Sequence, residues 1–219
     1  MINIIQSTNS EKFVSDIHNY VLRISNEILK NAVNLNCILT GGQTPTEFYK
    51  SFFTLMPKLS SWRFWISDER TNEFGFNEFN FSSIRECFKE SGKKIEFNYF
   101  DVYAPIDESV KQYSNKIASV NNFDITILGI GEDGHVASLF PGNLNTKEIC
   151  KNVIISYNSP KPPSTRMSLT YECLNNSDYV LFLIKGNAKK HLLDQIDKNN
   201  LPFNLVRGKV ETTFFFCEI

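Results

Sequence analysis

Ile125-Thr126-Ile127-Leu128-Gly129-Ile130-Gly131-Glu132-Asp133-Gly134-His135-Val136-Ala137-Ser138-Leu139-Phe140-Pro141-Gly142 is the stretch from which the rest of the chain is read. Its opening run of β-branched and aliphatic residues, without polar alternation, reads as a buried strand. Glycines at 129, 131 and 134 then stop the strand, and glycine suits a backbone that takes positive φ or lets another group come close. Asp133 and His135 stand among them, at the carboxyl end of the strand. In open α/β sheets that edge is where ligands bind. A lone histidine is more often a hydrogen-bonded structural residue. One that shares a glycine-rich strand end with an aspartate two positions away reads as a candidate catalytic base.

Gly129-x-Gly131-x-x-Gly134 also fits a dinucleotide fingerprint by spacing. The helix that such a fingerprint opens has little room here, because His135 follows the last glycine and Pro141-Gly142 soon ends the segment. A nicotinamide cofactor is therefore not expected.

Working outward, a second apolar strand at Cys37-Ile38-Leu39 runs into Thr40-Gly41-Gly42-Gln43-Thr44-Pro45. Pro45 suits a first helical turn, so a helix is expected from here to about Leu55. A strand, a Gly-Gly turn and a helix N-terminus together offer free N–H groups and a favourable dipole to an anion. The plain alternative is a tight turn. A third strand, Trp62–Ser67, ends at Asp68-Glu69-Arg70, which taken alone reads as a solvated loop and in company as a polar wall. The irregular segment Thr71–Phe79 is expected to fold over the site, and Asn80 to cap a helix from Phe81 to Glu90.

Further strands are expected at Met1–Ile5, Glu96–Val102, Val153–Ile155, Tyr179–Ile184 and Thr213–Cys217. Helices are expected from Ser10 to about Asn31, from Ile106, and from Gly186 to Ile196. The first carries Phe13, Ile17, Tyr20, Val21, Ile24 and Ile28 at three- and four-residue steps, one buried face. Strands alternating with helices give an α/β fold, Rossmann-like, with a largely parallel sheet covered by helices on both faces. No repeat or linker divides the chain, so residues 1–219 are expected to form one domain. Lys189 falls in the first turn of the late helix, where a cation opposes the helix dipole and calls for an anionic partner. The proline-rich Ser159–Thr165 reads as a rigid approach to Arg166.

Composition narrows the function classes. At 219 residues with a net charge of −1, the chain carries no electrostatic footprint for nucleic acid. Any anion site must be a local cluster of cations. Its five cysteines are scattered and never in CxxC spacing, so they read as reduced and buried, with no disulfide framework and no zinc site. No apolar run approaches a membrane span and the start lacks the layout of a signal peptide. A cytoplasmic location is expected.

Five motifs together resemble the glucosamine-6-phosphate isomerase/6-phosphogluconolactonase family, on its lactonase side. They are Gly41-Gly42-x-Thr44-Pro45, Asp68-Glu69-Arg70, the Gly129–Gly142 stretch, Arg166-x-Ser168-Leu169-Thr170 and Gly186-x-x-Lys189, in the family's order. The resemblance implies hydrolysis of 6-phosphoglucono-δ-lactone without metal or nucleotide, by a monomer or small homo-oligomer. It implies His135 as the base that activates water, Asp133 as its orienting neighbour and Arg70 as an active-site arginine. Gly41, Gly42, Gln43, Thr44, Asp68, Glu69, Gly134, Arg166 and Lys189 are implied as substrate contacts. Gln43 stands where a serine is usual. The hydrophobic-proline step after Arg70 is absent, and Phe79 replaces the serine common before Asn80.

Two rivals follow. Glucosamine-6-phosphate deaminases resemble the chain at the Gly-Gly turn and at Asp-Gly-His, but carry Asn-Glu-Pro after the histidine and a tyrosine after Asp-Glu. Here Leu139-Phe140-Pro141 and Arg70 stand instead. A non-catalytic sugar-phosphate sensor has a similar fold, but no helix-turn-helix segment or basic stripe accompanies it.

Overall fold

The computed structural model describes residues 1–72, 78–89, 91–143 and 146–219; positions 73–77 of the expected covering segment, and Glu90, lie outside them. In chain order the first six strands are β1 (Ile2–Ser7), β2 (Leu35–Leu39), β3 (Trp62–Ile66), β4 (Asp68–Arg70), β5 (Glu96–Asn98) and β6 (Phe123–Gly129). The others are β7 (Thr146–Cys150), β8 (Val153–Ser156), β9 (Arg166–Leu169), β10 (Ser177–Lys185) and β11 (Glu211–Cys217). The α-helices are α1 (Ser10–Ile28), α2 (Gln43–Leu55), α3 (Asn80–Lys89), α4 (Ile106–Ile117) and α5 (Tyr171–Asn175).

Seven strands form one sheet in the order β1-β11-β10-β6-β2-β3-β5, every pairing parallel. Both of its faces are buried, which is why its strands read as unbroken apolar runs. Alternate residues divide between two cores. Cys37, Leu39, Ile125, Ile127, Leu181 and Leu183 join α1, α2 and α3 on one face. Ile38, Leu128, Val180, Phe182 and Phe214 join Val110, Tyr113 and Ile117 of α4 on the other.

A second sheet, β4-β9-β8-β7, is antiparallel and packs into that second core through Val153, Ile155, Met167 and Leu169. The sequence reading did not contain it. Val153–Ile155 was expected as a strand, but its partners Thr146–Cys150 and Arg166–Leu169 were not, nor was the charged Asp68–Arg70 that pairs with the far side of Arg166–Leu169. Smaller departures have local causes. Asn9 caps α1, because its side chain accepts the Lys12 N–H at 2.8 Å, and the helix ends at Ile28, short of the expected Asn31. The late helix is 3₁₀ over Asn187–Gln195, with Leu192 its single buried residue, so little apolar surface pulls it into an α-helical stripe. Cys150, at the end of β7, is half-buried; the other four cysteines are buried, and all five are free thiols.

Two tyrosines finish the carboxyl edge of the parallel sheet where its ladders stop. Tyr49 of α2 donates its hydroxyl to Thr40 O at 3.1 Å and accepts from Thr40 N–H at 3.3 Å. Tyr113 of α4 donates to Ile66 O at 2.9 Å and accepts from Ile66 N–H at 2.8 Å, one residue past the last β3–β5 pair. Both rings are fully buried, and burial pushes both phenols well above their ordinary pKa. Tyr113→Phe strips the Ile66 peptide of a partner in a dry site. It is expected to lower the unfolding free energy by about 1–3 kcal/mol, read from urea melts with an unchanged m-value.

Candidate active site

Adjacent strands β2 and β6 send the chain to opposite faces of the sheet. β2 leads through Gly41-Gly42 into α2, while the loop after β6 turns toward the second sheet, where Ser138 N–H donates to Ser168 Oγ at 3.2 Å. A crevice must open at such a divergence. It is a cavity of about 490 Å³, and residues of all five sequence motifs line it.

The loop after β6 closes on itself. Gly131 N–H donates to His135 O and Gly134 N–H to Gly131 O, both at 2.9 Å. This folds the imidazole back over Gly131, where a Cβ would stand 2.1 Å from His135 Nδ1. Gly131 is thus small for the sake of the histidine. His135 Nδ1 lies 2.5 Å from Asp133 Oδ1, which also accepts the His135 backbone N–H at 3.2 Å. Burial pushes the Asp133 carboxyl up, but the bonds and charge of His135 outweigh it and hold the group below its ordinary value. An ionised carboxylate only accepts, so the ring donates through Nδ1 and keeps its lone pair on Nε2. Phe140 packs against the ring, tilted by 44°, at 4.8 Å between centroids.

The opposite wall comes from β4. Ser67 N–H donates to Leu39 O, and Ser67 O accepts from Leu169 N–H, each at 2.8 Å, so the chain passes from one sheet to the other at this residue. Alternation along β4 then sends Asp68 and Arg70 into the cavity and Glu69 away from it. Asp68, 4 % exposed, accepts from Ser67 Oγ and Ser138 Oγ at 2.7 Å and from Thr40 Oγ1 at 3.4 Å. Arg70 lies opposite Arg166 in the β4–β9 register and donates to Glu78 O at 2.8 Å.

The cations explain how a chain of net charge −1 presents an anion site. Arg70, Lys161, Arg166, Lys185 and Lys189 line one cavity. Arg166 is only 7 % exposed, and the loop Lys161-Pro162-Pro163 wraps its guanidinium with three carbonyls at 3.0–3.2 Å. Burial pulls the pKa of Arg166 and of Lys189 down; the nearby charge of Asp68 acts against this for Arg166, and that of Glu132 for Lys189. Among the described residues neither makes a carboxylate ion pair. Lys185 does, with Glu47 of α2 at 2.5 Å. Gly41 admits the Asn80 side chain, whose Oδ1 would stand 2.1 Å from a Cβ there.

Of the residues expected from sequence, Gly41, Gly42, Gln43, Thr44, Asp68, Arg70, His135, Arg166 and Lys189 line the cavity, and Asp133 braces His135 from its edge. Two do not face it. Gly134 packs on Leu201 and Phe203. Glu69, fully buried, turns behind the wall, where Oε1 accepts Arg70 N–H at 2.9 Å and Asn80 N–H at 2.7 Å while Oε2 accepts Phe81 N–H at 2.8 Å. Asn80, Lys161, Lys185, Glu132 and Phe140 line the cavity without having been singled out. Lys185 was within reach of the sequence, since it ends an apolar strand and directly precedes Gly186. Among the described residues no group of three or more His, Cys, Asp or Glu side chains converges as a metal site.

The family model for glucosamine-6-phosphate isomerases/6-phosphogluconolactonase matches residues 8–215. The chain belongs to this family. It is 35% identical over 193 residues to 6-phosphogluconolactonase of Thermotoga maritima, covering 86% of this chain and 87% of that protein. It is 32% identical over 172 residues to human 6-phosphogluconolactonase, covering 73% of this chain and 67% of that one. The crystal structure of the Thermotoga maritima 6-phosphogluconolactonase superposes with a TM-score of 0.90 over 100% of both chains at 30% identity. The parallel sheet with its flanking helices is thus the fold of this family.

In this family member Glu69 carries a pH signature. Burial raises its carboxyl from 4.5 to about 7, against the pull of its three N–H bonds. Between those values the folded chain keeps a proton that the unfolded chain has released, so stability from this group is complete below about 4.5 and declines as pH rises to about 7. A displacement of this size is worth about 3 kcal/mol. Melting temperature measured from pH 5 to 8 is expected to fall less in Glu69→Gln than in the unaltered chain.

Proposed function

We propose that this chain hydrolyses 6-phosphoglucono-δ-lactone to 6-phosphogluconate, the lactonase step of the oxidative pentose phosphate pathway, working as one domain. The observation that carries the reading is an imidazole, oriented by a carboxylate, facing a cavity lined by five cations. A δ-lactone is an activated ester, so one base and donors for the carbonyl oxygen suffice.

In this reading His135 Nε2 takes a proton from water as the oxygen attacks the lactone carbonyl. Asp133 stabilises the imidazolium that forms. Arg70 holds the oxyanion; when the ring C–O bond breaks, His135 returns its proton to the departing ring oxygen. Arg166 and Lys189, with the Gly41-Gly42 turn at the start of α2, bind the phosphate, and Lys161 and Lys185 add to the positive field. The buried charge of Arg166, without a carboxylate ion pair among the described residues, supports this, because desolvating such a cation is a cost that a bound dianion offsets. Ser138 is no nucleophile here: its hydroxyl is buried and donates to Asp68.

The deaminase alternative requires an acid after the histidine. Phe140 packs on the His135 ring instead, which favours the lactonase.

The test is a coupled assay of lactone hydrolysis at pH 6–7, with ammonia release from glucosamine 6-phosphate measured beside it. The first should be positive and the second absent. His135→Ala is expected to lower kcat by about 10²–10⁴-fold with little change in KM. Near-normal turnover in that variant removes the proposed base. Arg166→Ala and Lys189→Ala are expected to raise KM by about 10–100-fold, and to matter far less for an unphosphorylated lactone.

A further inference from the structure

We propose that Glu69 is a positioning residue for the reaction, acting through Arg70 from behind the cavity wall. The inference rests on the lactonase reading, in which Arg70 receives the oxyanion. Its basis is a set of contacts that meet at one buried carboxyl group.

Glu69 Oε1 accepts the N–H of Arg70 itself and that of Asn80, and Oε2 accepts the N–H of Phe81. The last two are amides of the first turn of α3, which have no intrahelical acceptor, and a carboxylate there also meets the positive end of the helix dipole. Glu69 therefore docks the start of α3 onto the strand that carries Arg70. The guanidinium is held at its other end by Glu78 O, two residues ahead of the same helix, at 2.8 Å. Arg70 is thus fixed at its backbone by Glu69 and at its head by a segment whose place Glu69 sets. Asn80 extends the tie across the site: its Nδ2 donates to Asp68 O at 2.8 Å and its side chain fills the space beside Gly41. One carboxyl group links β4, α3 and the glycine turn without touching the cavity.

The experiment is a double-mutant cycle between Glu69→Gln and Arg70→Ala, with kcat and KM for the phosphorylated lactone and melting temperature as readouts. Glutamine keeps the size of the side chain but sets either an amide N–H₂ against the Phe81 N–H or, flipped, against those of Arg70 and Asn80. Glu69→Gln alone is expected to lower kcat about tenfold with KM altered less than about twofold, the pattern of a lost transition-state contact. In the Arg70→Ala background it is expected to change kcat by less than about twofold, since the group it positions is gone. Glu69→Asp keeps the charge, draws it back by one methylene and is expected to fall between; it replaces Glu69→Gln in the cycle should that variant not fold. Losses that multiply in the double variant, or unaltered kcat in a folded Glu69→Gln, overturn the proposal, because a brace of general stability lowers the melting temperature without depending on Arg70. Absence of turnover by the unaltered enzyme is a separate result: it sinks the lactonase reading, and this inference with it.

Discussion

One residue belongs to both sheets. At Ser67 the N–H completes the ladder with β2 of the parallel sheet and the C=O receives the N–H of Leu169 from the antiparallel one. The chain cannot shift at this point without breaking a bond on one side or the other, and buried backbone groups left unpaired are costly. The three residues that follow are therefore held rigidly over the carboxyl edge of the parallel sheet. They bring the β4–β9 pairing with them, and with it Arg166. The loops after β2 and β6 supply the floor; the junction at Ser67 supplies the opposite wall. Without it the histidine loop would face open solvent.

The wall is electrostatically uneven by construction. Successive carboxylates, Asp68 and Glu69, leave β4 in opposite directions and meet different donors. Asp68 is met by the hydroxyls of Ser67, Ser138 and Thr40, while Glu69 is met by three backbone amides and, among the described residues, no side chain. Neither forms an ion pair with the arginines beside it among the described residues. The guanidinium of Arg166 is satisfied by carbonyl oxygens, which solvate a charge without cancelling it. Arg166 thus keeps its charge at the cavity wall, while Lys185 shares its own with Glu47. Nothing about the overall charge of the chain announces this, because acidic residues along the whole chain, Asp68 and Glu132 of the cavity among them, offset the cations in the sum.

Much of this frame was legible in the sequence. Apolar runs that end in glycines marked β2 and β6, and their shared edge followed from parallel topology, so His135, Asp133 and the Gly41-Gly42 turn could be brought together without coordinates. The second sheet could not. Its strand β4 is three charged residues long, and what makes it a strand is pairing with residues 96 to 100 positions away. No local pattern encodes such a partner, and without that strand the facing of Glu69 could not be read. Read as a loop, Asp68-Glu69-Arg70 has no defined facing, and all three residues fall to the site. Read as a strand, period-two alternation turns the middle one away. The glycines of the histidine loop also differ in what they serve: Gly131 makes room for His135, and Gly134, implied as a contact by the family resemblance, packs against Leu201 and Phe203.

The cost of building the site in this way falls on the groups that do not touch the substrate. A carboxyl raised to about 7 by burial is a poor choice for stability, and an isosteric amide would remove the charge. What an acid provides over an amide is two oxygens that both accept, with no donor once the proton leaves above about pH 7, which suits three amides converging from two directions. An amide side chain has one acceptor and would oppose the third N–H. The geometry of the donors therefore selects an acid at this position even though its surroundings disfavour the charge. The donors in turn are fixed by the need to keep Arg70, Asn80 and the turn at Gly41 in register. That chain of dependence runs from the chemistry of the oxyanion outward to a buried residue.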